Sequence, residues 1–162
     1  MGKKKLKGKI LVIGLGNILL KDEGAGVHVV RKLMEIDFPD EVELIDGGVA
    51  SMGLLPLFDN AEKVIVIDAI KLNDKCGSIY KLTEKELNYN SNKQKVSLHQ
   101  LTFADTLKIA SYLGNKPDVT FFCIVPKDYS SFGMELSPEV SSKLDILVNL
   151  VKEEITLLLH KH

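Results

Sequence analysis

The chain has 162 residues, 45% of them hydrophobic and 27% charged. That is the balance of one globular domain, and it excludes a disordered, collagen-like or coiled-coil chain. Its 21 basic and 22 acidic residues give a formal net charge of −1, no footprint for nucleic acid, and its two cysteines exclude a disulfide framework or a four-cysteine zinc site.

Residues 1–8 read as a basic tail ahead of a single α/β domain spanning 9–162. Lys3, Lys4, Lys5, Lys7 and Lys9 crowd the start and leave 16 basic against 22 acidic residues elsewhere. The apolar stretch from Ile10 to Leu20 is interrupted by Gly14, Gly16 and Asn17 and closed by Asp22-Glu23, with no small-residue cleavage site after it. Leu6 stands where a myristoylation signal needs Ser or Thr, and no apolar run is long enough for a membrane span. The expectation is a cytoplasmic monomer with no membrane or nucleic-acid partner.

Lys9 to Ile13 is a β-branched apolar run closed by Gly14, which predicts a strand buried on both faces. After the Gly14-Leu15-Gly16-Asn17 turn, Asp22 is placed to cap a helix reaching Glu35, with Val27, Val30 and Met34 on one face. Val42 to Ile45 predicts a second strand, followed by Asp46-Gly47-Gly48 and a short helix over 51–58. Val64 to Ile67 predicts a third strand ending at Asp68. Ser78 to Leu82 predicts a fourth, and the connection before it is too short for a parallel crossover, so it should run antiparallel.

The Asn-rich stretch 88–97 has almost no apolar anchor and reads as a loop. A helix follows over 99–113 with Phe103, Leu107 and Ala110 inward, then a fifth strand, Val119 to Val125, stopped by Pro126. Ser137-Pro138-Glu139 is a helix start, with the serine as N-cap. The helix after it carries Val140, Leu144, Leu147, Val151, Ile155 and Leu158 at helical spacing. Strands alternating with helices predict a three-layer α/β/α sandwich around a mixed, mostly parallel five-stranded sheet, of the phosphorylase/hydrolase-like kind.

Ligands of such sheets gather outside the carboxyl ends of the parallel strands. The Gly14-x-Gly16 turn is a broken dinucleotide fingerprint, because Leu19 stands where Gly or Ala belongs and Asp46 lies 27 residues beyond it. Glu23, Asp68 and His99 all fall beside that one predicted edge. Carboxylates in a first helical turn are also explained by the helix dipole, and a strand-end aspartate by a loop hydrogen bond. Taken together, the three make an oxygen–nitrogen donor set with open positions, suited to zinc, nickel, cobalt or manganese rather than copper(I). No G-x-S-x-G elbow and no H-E-x-x-H helix is present, and neither cysteine has a nucleophile's surroundings.

The pattern Gly14-x-Gly16-Asn17-x-Leu19-x-x-Asp22-Glu23-Gly24-x-Gly26 resembles the opening signature of the nickel–iron hydrogenase maturation endopeptidases. Asp46-Gly47-Gly48, Asp68-Ala69, Ser97-Leu98-His99-Gln100 and Ile124-Val125-Pro126 recur in the family's order. The resemblance implies a protease that removes the C-terminal extension of a hydrogenase large-subunit precursor once nickel is installed. It implies metal contacts from Glu23, Asp68 and His99, with Asp46 as an accessory acidic position. The nickel would arrive with the substrate, and zinc or cadmium could take its place in vitro. Two other readings compete: a non-proteolytic nickel chaperone using the same ligands, and a Rossmann-like nucleotide-binding enzyme.

Overall fold

The apolar runs Ile10–Ile13 and Val64–Ile67 lie side by side near the middle of one sheet. The computed structural model describes residues 8–50, 52–91 and 98–161, and of residues 88–91 and 98–102 the backbone alone. Strands β1 (Lys9–Leu15), β2 (Val42–Gly48), β3 (Ala61–Ala69), β4 (Ile79–Thr83) and β5 (Asp118–Ile124) take the order β2-β1-β3-β5-β4. All pairs are parallel except β4–β5, which is antiparallel, with Ile79 opposite Ile124 and Thr83 opposite Thr120. The short connection from Ala69 to Ile79 holds no helix, as the antiparallel expectation requires.

Side chains alternate between the two faces of the sheet. Ile10, Val12, Ile65, Ile67, Phe122 and Ile124 meet α1 (Ala25–Leu33), α4 (Pro138–Ser141) and α5 (Leu144–His160). Leu11, Ile13, Val64, Val66 and Phe121 meet the 3-10 segment Met52–Asn60, α2 (Glu84–Ser91) and α3 (Leu98–Tyr112). On that second side Phe58, Phe103 and Phe121 stack edge to face, with centroids 6.0 and 6.1 Å apart, a geometry that adds to area burial. The result is a three-layer α/β/α sandwich.

Four local expectations are corrected. The first helix begins at Ala25 behind a 3-10 turn, Lys21–Gly24, and ends at Leu33, so Leu33 is its last buried residue and Met34, at the C-cap, is exposed. The segment after β2 is 3-10 rather than α-helical, and it contains Pro56, which has no N–H to donate. The last helix is two. Ser137 caps α4 by accepting from Val140 N, but the Ser142 hydroxyl donates to the Glu139 carbonyl and Lys143 N bonds to Val140 O, tightening the turn before α5. Part of the expected Asn-rich loop is helical, since α2 runs to Ser91; residues 92–97 lie outside the described residues, as does the tail 1–7.

Candidate active site

From β1 the chain passes outward to β2 and then returns to β3 on β1's other side, so the carboxyl ends of β1 and β3 flank the topological switch point. The turn after β1 is shaped by close approach. Gly16 has φ +136°, and a Cβ there would lie 1.9 Å from the Glu23 carbonyl oxygen. A Cβ on Gly26 would lie 2.1 Å from the Ile67 carbonyl oxygen and 2.4 Å from that of Leu15. Only glycine lets α1 seat its first turn on the backbone of β1 and β3. Glu23, half-buried, is therefore held in a 3-10 turn packed against β3, three residues before a glycine that touches the carbonyl preceding Asp68.

Asp22 does not cap the helix. It is fully buried, and its carboxylate is turned to the chain between β5 and α4. Oδ2 accepts from Lys127 N at 2.9 Å, Asp128 N at 3.0 Å and the Ser137 hydroxyl at 2.7 Å, while Oδ1 accepts from Ser137 N at 2.7 Å. Backbone bonds reinforce the tie: Asp22 N donates to Asp128 O, Lys21 N to Gly133 O, and Gly133 N to Leu19 O. Lys21 takes a positive φ of 48° to bring this about, a conformation non-glycine residues adopt rarely. His28 on α1 adds a hydrogen bond with the Met134 backbone; burial, then the Arg31 charge, holds its imidazole pKa below the ordinary value.

Asp68 is 2% exposed near the end of β3, opposite Cys123 in the β3–β5 register. Its side chain shares the sheet face of Val64 and Val66 and borders an apolar pocket lined by Leu15, Val66, Phe103, Leu107 and Phe121, with Glu84 and Lys108 at its margin. Because α3 leads into β5, which is parallel to β3, α3 must start at the carboxyl edge of the sheet. His99 is in its first turn, four residues before Phe103; the His99 side chain lies outside the described residues. Burial, and then the Asp68 charge, pushes the Cys123 thiol well above its ordinary pKa, so it is no nucleophile at neutral pH. Cys76 is a loop residue, as expected.

Asp46 ends on the other side of the sheet. Its Oδ2 takes Arg31 Nε and Nη2, each at 2.9 Å, in an ion pair on the α1 face. Among the described residues no three His, Cys, Asp or Glu side chains form a group able to hold a metal ion. The elements carrying Glu23, Asp68 and His99 thus reach one edge, whereas Asp46 is engaged by α1. The residue that sequence reasoning missed is Asp22, and the available signal was its place in the glycine signature beside Glu23.

Fold and site together define an α/β enzyme whose switch point offers carboxylates and no reactive thiol. The chain belongs to the hydrogenase maturation protease family, whose model matches residues 27–154. It is therefore a hydrolase acting as a protease. It is 35% identical over 140 residues to the hydrogenase 2 maturation protease of Escherichia coli, covering 85% of this chain and 84% of that one. It is 32% identical to the hydrogenase expression/formation protein HupD of Rhodobacter capsulatus, over 86% of this chain and 68% of that protein. The solved E. coli hydrogenase maturating endopeptidase HybD superposes with a TM-score of 0.81 at 34% identity, covering 88% of this chain and 89% of that one. HybD from Thermococcus kodakarensis gives 0.77 at 28% identity, covering 90% and 97%. Among the described residues no helix is long and apolar enough to cross a membrane.

Proposed function

We propose that this protease is a nickel-dependent endopeptidase that removes the C-terminal extension of a nickel–iron hydrogenase large-subunit precursor after nickel insertion, acting as a cytoplasmic monomer. The observation that carries the reading is Asp68, a carboxylate buried near the end of β3, a strand packed against the 3-10 turn of Glu23, and bordering a pocket shared with Phe103 of α3. A carboxylate is kept in such a place at a desolvation cost, and a divalent cation would offset it. Glu23, Asp68 and His99 would contact nickel brought by the precursor, and oxygen–nitrogen donors suit that ion. With few ligands of its own and no thiolate among them, the enzyme would hold metal weakly until precursor supplies the rest. Zinc or cadmium would occupy the same donors in vitro.

The test mixes the protein with nickel-loaded and nickel-free precursor and follows the mass of the large subunit. The expected result is loss of a C-terminal peptide from the loaded form alone. Equal cleavage of the nickel-free form would reject nickel dependence, and an unchanged mass for the loaded form would reject this substrate.

A further inference from the structure

We propose that the Leu19 turn and the loop from Lys127 to Ser137 form a docking surface for an apolar face of the precursor protein, an inference that rests on the substrate reading above. Leu19, Phe132 and Met134 are 54%, 87% and 55% exposed. Single exposed apolar residues need no explanation. These three sit on two segments hydrogen-bonded to each other, since Gly133, between Phe132 and Met134, pairs through N and O with Leu19 O and Lys21 N at 2.8 Å.

The surface is held in place. Asp22 anchors both ends of the loop, at Lys127–Asp128 and at Ser137, and His28 holds the Met134 backbone. Tyr129 in the same loop takes the Lys71 ammonium 3.6 Å from its ring centroid, linking the loop to the chain just past Asp68. A backbone fixed in this way loses little freedom on binding. Around them run ion pairs, Lys21–Asp128 at 3.5 Å and Lys127–Glu139. An apolar centre of Phe and Met with a charged rim is the make-up of a protein–protein interface. With Glu135 also in the loop, the rim carries two lysines against three carboxylates, so it offers no excess positive charge to an anionic lipid surface. Leu19 lies in the turn just ahead of the 3-10 turn of Glu23, four residues away, so a partner seated here is continuous with the proposed cleavage site.

The experiment is the double substitution Phe132→Ser, Met134→Ser, with Leu19→Ser as a second variant and Leu157→Ser on α5, 57% exposed, as the control. Kinetics use nickel-loaded precursor, and binding is measured separately with Asp68→Asn added to each protein. The expected result is an unchanged melting temperature, a KM raised about tenfold or more with kcat retained, a matching loss of binding, and no change in the control. Retained binding and KM in the double variant would overturn the proposal. So would a dimer of the free enzyme that the double variant turns into a monomer, which would make the surface a self-interface. If the unmodified protein binds precursor without cutting it and the double variant loses that binding, the docking surface stands and the cleavage reading falls.

Discussion

Asp22 and Asp68 are the two carboxylates buried among the described residues, and they stand at the same edge of one sheet in different surroundings. Asp22 accepts four hydrogen bonds from a loop more than a hundred residues away in sequence. Such bonds to a charged group contribute about 1.5–3 kcal/mol each, so its burial is explained by structure. Asp68 lies against an apolar pocket and a buried thiol, in surroundings built by the sheet and the helix packed on it rather than by a distant loop. Burial alone does not distinguish the two carboxylates; the groups packed around each do.

Exchanging the chemistry at each position would break this contrast most directly. Asp68→Asn should reduce precursor cleavage to background while the melting temperature stays within a few degrees, since about 1 kcal/mol moves a domain of this size by ~2–4 °C. A variant that still cleaves, followed by large-subunit mass, would move the chemistry elsewhere. His99→Ala should abolish nickel or zinc binding in a titration; an affinity equal to the parent's would place the metal on other ligands. Asp22→Ala should act on the fold instead. It strands buried N–H donors, and a loss of about 4 kcal/mol should lower the melting temperature by roughly 8–16 °C.

Smaller effects sharpen the same comparison. Cys123→Ala should retain cleavage and lose only about 1 kcal/mol of stability, read from a urea titration, because the thiol packs beside Asp68 without reacting. His28 supplies the pH signature of the Asp22 side. Its pKa is lowered in the folded protein, so between that value and 6.5 the unfolded chain binds more protons. Stability from this residue is full above pH 6.5 and falls as pH drops through that range. Urea midpoints between pH 5 and 8 should show this slope in the parent protein and a flatter one in His28→Gln.

Much of the fold was legible because strands announce themselves locally. The β-branched runs ended at Gly14 and Asp68, and the short step to Ile79 dictated an antiparallel partner. The three elements of the candidate site were legible for the same reason, being strand ends and helix starts. Asp22 was not, because carboxylates in a first turn satisfy the helix dipole in any sequence, and what distinguishes this one is donors 105 to 115 residues away. The exposure of Met34 was misread through the helix end: the expected helix ran on to Glu35, but α1 stops at Leu33 with Met34 at its C-cap, so the buried stripe of Val27 and Val30 closes on Leu33.

The seat of Gly26 against the carbonyls of Ile67 and Leu15 has a mechanical corollary. With no space between the start of α1 and the sheet, the turn holding Glu23 has no hinge. It moves only if β1 and β3 move with it, and those are central strands buried over Ile10–Leu15 and Val64–Ala69. Domain-like closure on this side of the molecule is therefore disfavoured, and on the proposed reading a precursor tail would be carried to Glu23 and fitted there, with the compliance residing in the substrate.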